Sequence, residues 1–272
     1  MKRMRRLRAE ISRHDSAHRF QNLGVDVYLG GGSFADGGRA VQVGDALLRF
    51  KRAVICTGAR AAVPPIPGLT DIPYLTHESL FSLTSLPHRL AVIGAGPIGC
   101  EMAQAFARFG ARVTLLEAGP RILPRDDADA AARVQAALAA DGVELLLDAQ
   151  LRQIDRLGNN VTIAFEYNGT PAHRECDELL VAAGRTPNID RLDLDAAGVR
   201  HDQHGVIVDD CLRTTNPRIF AAGDVCSPYR FTHAADFMAR IVVQNALFFG
   251  RAKVSRLLIP WCTYTSPEVA QV

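Results

Sequence analysis

Gly94, Gly96 and Gly99 stand in the stretch AVIGAGPIGCE with the spacing G-x-G-x-x-G, between an apolar run and a segment of helical pattern. At a strand-to-helix junction each glycine has its own task. The first permits the tight turn, the second lets backbone amides approach a pyrophosphate, and the third lets the helix lie close to the strand. Free amides and the positive end of the helix dipole at Pro97, Ile98 and Gly99 then favour an anion. Glu117 ends the next apolar run, ARVTLLE, about 20 residues beyond the loop, where a carboxylate accepts hydrogen bonds from adenosine ribose hydroxyls. A 2′-phosphate would meet like charge there, so the pattern favours NAD(H) over NADP(H), with Arg121 near enough to leave some tolerance of that phosphate. The plainer alternative is a structural glycine turn followed by a solvated glutamate at a strand end.

Six cysteines, Cys56, Cys100, Cys176, Cys211, Cys226 and Cys262, are scattered with no CxxC or CxxxxC pair. That spacing argues against a zinc site, a dithiol redox centre and a secreted disulfide framework. Free, mostly buried thiols in the cytoplasm are expected, and Cys262 is read as a buried thiol in preference to a metal ligand.

Apolar runs of strand type alternate with helical patterns, the signature of an α/β protein with a parallel sheet. VDVYLGGGSF and AVQVGDALLRF read as short antiparallel strands, and KRAVICTGA as a buried strand. VPPIPGL, residues 63–69, cannot be helix or central strand and reads as an extended connector at a domain boundary. RLAVIG, PIGCEMAQAFARFG and ARVTLLE make a βαβ unit. A helix over 127–141 and strand VELLL follow, then an antiparallel meander over 151–167 with Gly158-Asn159-Asn160 as its turn. ECDELLVAAGRTPN is a further buried strand ending in a turn, and 212–225 carries another ending at Gly-Asp. Helix THAADFMARIVVQNALFFG comes next, and WCTYTSPEVAQV reads as the beginning of a strand.

A chain of 272 residues, 48% hydrophobic and 22% charged, can bury one large or two modest cores. A formal net charge of +2 is too small for a nucleic-acid surface. No apolar run approaches the roughly 20 residues of a bilayer span. Five of the first eight residues are basic, which raises a presequence or membrane-surface helix. Met4, Leu7 and Ile11 at helical spacing, with Glu10 and Asp15 breaking the cationic run, favour an ordinary amphipathic helix.

Four stretches, VICTGA at 54–59, GAGPIGCE at 94–101, GRTPN at 184–188 and TTNPRIFAAGDV at 214–225, together resemble the flavin-dependent pyridine nucleotide-disulfide oxidoreductases, the group that includes dihydrolipoamide dehydrogenase, glutathione reductase and mercuric reductase. The segments from 232 to 250 and 260 to 272 look most like the mercuric reductase branch, although Glu117 departs from the NADPH preference usual there. The resemblance implies a Rossmann-like NAD-binding domain inserted in a partial FAD-binding domain, each with a central parallel sheet and an antiparallel meander. On that plan residues 1–86 and 209–251 belong to the FAD domain, 87–208 to the NAD domain, and 252–272 begin an interface domain.

By the same resemblance Asp224 accepts a hydrogen bond from the FAD ribitol beside Gly223, with a helix or turn cap as its other reading. Thr57 and Gly58 pass the flavin nucleotide, Gly184 and Arg185 lie near the cofactor junction, and His233 approaches the flavin ring. Arg185 could otherwise form a surface salt bridge, and His233 could be structural. Glu101 corresponds to a catalytic glutamate near flavin and nicotinamide, but the lysine that pairs with it has no counterpart here. An acidic residue favoured in the first helical turn is the other reading of Glu101.

The family's first FAD glycine loop, its CxxxxC pair and its interface-domain His-Glu pair are not in this sequence, so a fragment is expected. The parent would pass hydride from NADH to FAD and on to a disulfide, thiol or metal-ion acceptor, as a homodimer. This chain alone would bind NAD(H), bind FAD weakly or not at all, and show no turnover. The competing reading is a non-catalytic NAD(H)-binding module.

Overall fold

RLAVI supplies four consecutive apolar residues, and strand Arg89–Ile93 buries Leu90, Ala91, Val92 and Ile93 at 4% exposure or less. A strand covered on both faces needs such an unbroken run. Its side chains alternate between two cores. Leu90 and Val92 pack with Ala103, Phe106, Val134 and Leu138, which come from helices, while Ala91 and Ile93 pack with Ile154, Ile163 and Phe165, which come from an antiparallel sheet. The computed structural model describes residues 1–158 and 160–272. It divides them into two compact units, Met1–Asp15, Ala61–Gly184 and Cys262–Gln271 in the first, and Ser16–Arg60, Arg185–Trp261 and Val272 in the second.

In the first unit Arg89–Ile93 pairs in parallel with Arg112–Leu116 on one side and Glu178–Val181 on the other, and Glu144–Leu146 extends the sheet. Helix Pro97–Arg108 joins the first two of these strands, as the βαβ reading requires. Helix Ala128–Ala140 follows with Asp127 as its cap, whose carboxylate accepts the amides of Asp129 and Ala130. The opposite face is covered by the meander Gln150–Leu157, Asn160–Tyr167 and Thr170–Cys176. Its first turn, assigned to Gly158-Asn159-Asn160, includes Asn159, which lies outside the described residues. Arg89 anchors the central strand: its guanidinium donates to Asp177 at 2.7 and 3.0 Å and to Glu175 at 3.1 Å.

The second unit contains the parallel pair Ala53–Ile55 and Ile219–Ala221, with Ile55 opposite Ala221. It also contains the antiparallel sheet Gly32–Ala35, Ala40–Val43 and Ala46–Arg49. Helix Thr232–Leu247 sets Met238, Ile241 and Val242 against Leu212, Phe220 and Ala222. This is the α/β architecture of the Rossmann type, with a parallel element and a meander in each unit.

Several local readings change. Residues 25–29 carry no strand, and Val54 in the expected buried strand is 44% exposed. The helix Lys2–Ser12 buries no residue, and Leu7 and Ile11 remain 43% and 62% exposed. The two compact units divide near 60 and 184. Leu69 and Ile72 pack into the meander core and Leu75 bridges Leu180 in parallel, so 61–86 folds with the glycine loop. Leu194, Val199 and Val206 pack with Ile55 and Ile219 in the other unit. Val269 packs on the helical core of the first unit, to which Cys262–Gln271 belong, while residues 252–261 fall in the second. Among the described residues no helix is long and apolar enough to cross a membrane.

Candidate nucleotide site

Gly94 leaves the central strand with φ +99°, a conformation open to glycine, and its N–H donates to Leu116 C=O at 2.8 Å. A Cβ there would lie 2.7 Å from the carbonyl oxygen of Ala182, so the turn after strand Glu178–Val181 closes against the loop. A Cβ on Gly99 would collide with the carbonyl of Gly94, which is how the helix comes to lie directly on the strand end. Gly96 caps helix Pro97–Arg108 without a side chain, and the first helical bond runs from Cys100 N–H to Gly96 C=O at 3.0 Å. The amides of Ile98 and Gly99 precede that bond and have no intrahelical acceptor, and Pro97 at the first position has no amide to lose. The arrangement is an anion-accepting helix start.

Glu117 does not stand free at its strand tip. Its Oε2 accepts Ala95 N–H at 2.7 Å and its Oε1 accepts Gly119 N–H at 2.9 Å, so the carboxylate faces the glycine loop. Arg121, the cation the sequence places near a 2′-phosphate, donates instead to the carbonyls of Leu123, Pro124 and Asp126 at 3.3, 2.7 and 3.0 Å.

Glu101 falls in the second turn of the helix, beyond the first turn to which the alternative reading assigned it. Burial pushes its carboxyl above the ordinary value, against the opposing pull of Tyr264 N–H, which donates to Oε1 at 2.9 Å. Gln104, one turn on, donates to Ser266 C=O at 2.9 Å and accepts Ser266 N–H at 2.7 Å. Helix Pro97–Arg108 thus holds the 264–266 segment through two side chains. Sequence reasoning passes over this, because a helix-facing polar pair has no motif.

The second unit gathers Thr57, Gly58, Arg185, Gly223 and Asp224 beyond the ends of the parallel strands Ala53–Ile55 and Ile219–Ala221. Arg185 Nη1 lies 2.5 Å from Asp224 Oδ2, with the two side chains 25% and 13% exposed, so this is a partly buried pair and no surface bridge. Arg185 Nη2 also donates to Ala59 C=O at 3.0 Å, and Arg230 donates to the Arg185 carbonyl. Thr57 Oγ1 donates to Asn188 C=O at 2.6 Å, while Asn188 Nδ2 donates to Thr57 C=O at 2.9 Å and its N–H to Gly58 C=O at 2.9 Å. Asn188, which closes the GRTPN stretch, thus ties that stretch to the turn after strand Ala53–Ile55. Gly184 turns at the end of 182–184 in the first unit, its carbonyl accepting Ala62 N–H at 3.0 Å. His233 lies in the first turn of its helix, with Nε2 2.6 Å from Pro260 C=O, and stacks on Phe231 at 5.5 Å between ring centroids. A carbonyl only accepts, so Nε2 carries the proton.

The cysteines are all free, but only Cys100 and Cys176 are buried, and Cys56 is exposed. Cys262, expected to be buried, is half-buried on the short strand Trp261–Thr263. Burial pushes the thiols of Cys100, Cys176 and Cys226 up to about 12. Among the described residues no group of three or more His, Cys, Asp or Glu could hold a metal ion.

The family model described as pyridine nucleotide-disulphide oxidoreductase matches residues 4–239. The mercuric reductase of Staphylococcus aureus is 36% identical over 253 residues, covering 93% of this chain and 46% of that protein. The probable pyridine nucleotide-disulfide oxidoreductase RclA of Escherichia coli K12 is 35% identical over 232 residues, covering 84% of this chain and 52% of that protein. Among solved structures, the Cu(II) complex of the HOCl-induced flavoprotein disulfide reductase RclA from Escherichia coli superposes with a TM-score of 0.88 at 32% identity, over 98% of this chain and 62% of that one. LpdA from Mycobacterium tuberculosis gives 0.84 at 26% identity, over 96% of this chain and 59% of that one. The chain therefore spans about half the length of the curated relatives it matches. With its four motifs, its glycine loop and these matches in agreement, the chain belongs to the pyridine nucleotide-disulphide oxidoreductase family.

Proposed function

We propose that this chain is the nucleotide-binding portion of a flavin-dependent, mercuric reductase-like NAD(H) oxidoreductase, in which the 94–99 loop takes the pyrophosphate of NAD(H) and Glu117 the adenosine ribose. The observation that carries this reading is the helix start at Gly96. Its leading amides at Ile98 and Gly99 are uncommitted within the helix, and beside Gly96 a Cβ would find nothing within 4 Å. A diphosphate suits that donor set and that space. NAD(H) is preferred over NADP(H) because Glu117 brings negative charge to the strand tip while Arg121 is committed to three carbonyls of its own loop.

On the flavin side, Thr57, Gly58, Gly223 and Asp224 lie at the carboxyl ends of two parallel strands, where open α/β sheets take ligands. Asp224 would receive a ribitol hydroxyl there, with Arg185 orienting its carboxylate, and Gly184 of the first unit and His233 of the second are further candidate cofactor-binding residues. NAD(H) and FAD supply the hydride-transfer chemistry when bound, and the final acceptor in the whole protein is a disulfide, a thiol or a metal ion. Glu101 is the candidate catalytic group. The whole protein would be a cytoplasmic homodimer, a compartment that suits six free thiols.

By itself the chain binds NAD(H), holds FAD weakly or not at all, and reduces neither disulfides nor mercuric ion. Calorimetry with NADH and an absorbance spectrum of the purified chain test this. One NADH per chain and no flavin absorbance are expected. Absence of NADH binding overturns the nucleotide assignment, and a stoichiometric yellow chromophore overturns the statement about FAD.

A further inference from the structure

A cleft of about 370 Å³ in the second unit is lined by Arg52, Arg213 and Arg251, and no carboxylate lines it. Arg52 precedes strand Ala53–Ile55, so the cleft lies by the start of the strand whose far end leads to Thr57 and Gly58. We propose that it is an anion site, taking a phosphoryl group of a small phosphorylated molecule or a free polyphosphate.

Clustering of this kind does not follow from overall charge, because 31 basic residues are nearly matched by 29 acidic ones. Other arginines of the unit find acids: Arg60 with Asp190, Arg185 with Asp224, Arg240 with Asp236. Among the described residues no ion pair reaches Arg52, Arg213 or Arg251. Arg52 Nη1 donates to the adjacent Lys51 carbonyl at 3.1 Å, and the Arg213 guanidinium lies 6.0 Å from the Phe220 ring centre.

The arginines are not explained as caps for the helix that ends beside them. Gln244 C=O there accepts Phe248 N–H at 3.2 Å and Gly250 N–H at 3.1 Å. Asn245 bonds Cys211 C=O, Ala252 C=O and Ala252 N–H at 3.1, 2.9 and 2.9 Å. Gln244 C=O and the Asn245 side chain are thus satisfied by neighbouring backbone, with no part taken by the arginines that line the cleft. Like charges around one volume repel, and a bound anion relieves the repulsion. The planar guanidinium fork matches phosphoryl oxygens two at a time. The volume falls at the low end of small-ligand pockets, about 300–1,000 Å³.

The test titrates pyrophosphate, and in a second arm AMP, into the full chain saturated with NADH, with sodium chloride at equal ionic strength as the reference. The triple variant R52Q/R213Q/R251Q is run beside it. Pyrophosphate or AMP binds the wild type, and its affinity falls about tenfold for each arginine removed, while NADH affinity is unchanged. Tighter AMP assigns the site to phosphomonoesters, and tighter pyrophosphate to free polyphosphates. Because the readout is the difference between arginine variants, a failure of NADH to bind leaves it intact. Should the triple variant lose its fold, arginine Nε–H signals followed by NMR in the wild type report the site directly. Equal affinity in the triple variant, binding no stronger than chloride in both arms, or unmoved Nε–H signals overturn the proposal.

Discussion

The carboxylate of Glu117 accepts the backbone N–H of Ala95 at 2.7 Å, which ties the tip of one parallel strand to the glycine loop that leaves its neighbour. A second bond, from Gly119 N–H at 2.9 Å, fixes the same side chain from behind. The acid therefore shapes the loop before any ribose arrives. Glu117→Ala removes both acceptors together with the ribose partner, and NADH affinity falls by about tenfold to a hundredfold, since a hydrogen bond to a charged group contributes about 1.5–3 kcal/mol. Glu117→Gln, which keeps one acceptor oxygen, loses less. Calorimetry on both variants checks the order, and equal affinities for all three proteins would remove Glu117 from the account.

The glycines separate structural from ligand-facing duties. Gly99→Ala drives a methyl into the Gly94 carbonyl and destabilises the fold by about 1–3 kcal/mol in denaturant unfolding. Gly96 has φ −72° and open space where a methyl would go. Gly96→Ala therefore costs at most about 1 kcal/mol, the loss of a favourable cap residue, yet weakens NADH by filling the approach to the diphosphate.

Glu101 gives a pH signature. Burial raises its carboxyl above 4.5, so the folded state holds the proton more tightly than the unfolded chain does. Its contribution to stability is complete below that ordinary value and is lost as pH rises through the raised one. Glu101→Gln, which still accepts Tyr264 N–H, is more stable than the wild type at pH 8, and the difference in melting temperature closes as pH falls below about 4. A difference that widens in acid would contradict this.

How much of this was legible beforehand depends on where the signal resides. The unbroken run Leu90 to Ile93 and the spacing of Gly94, Gly96 and Gly99 are local, and they placed the strand, turn and helix within a residue or two. The unit boundaries were not local. Leu75 meets Leu180, more than a hundred residues away, and it is that pairing which carries 61–86 into the first unit. VDVYLGG has strand-like residues, but 25–29 find no partner strand and stay irregular. At the site, Glu117 was read from its position at a strand end, whereas its bond to Ala95 and the tether of Arg121 depend on side-chain direction, which spacing does not encode.

Thiol reactivity should divide along burial. Cys100, Cys176 and Cys226, pushed up to about 12 by burial, carry almost no thiolate at pH 7.5 and resist iodoacetamide until the chain is unfolded. Mass spectrometry of labelled peptides reads this out. Rapid alkylation of Cys100 in the folded chain would show that the packing beneath the glycine loop is looser than described.

Amide NMR during an NADH titration puts the central assignment to its most direct test. If the helix start at Gly96 grips the diphosphate, the Ile98 and Gly99 N–H signals shift and saturate at one NADH per chain, and Ala95 shifts with them through Glu117. Binding of NADH that leaves those three amides unmoved would contradict the account.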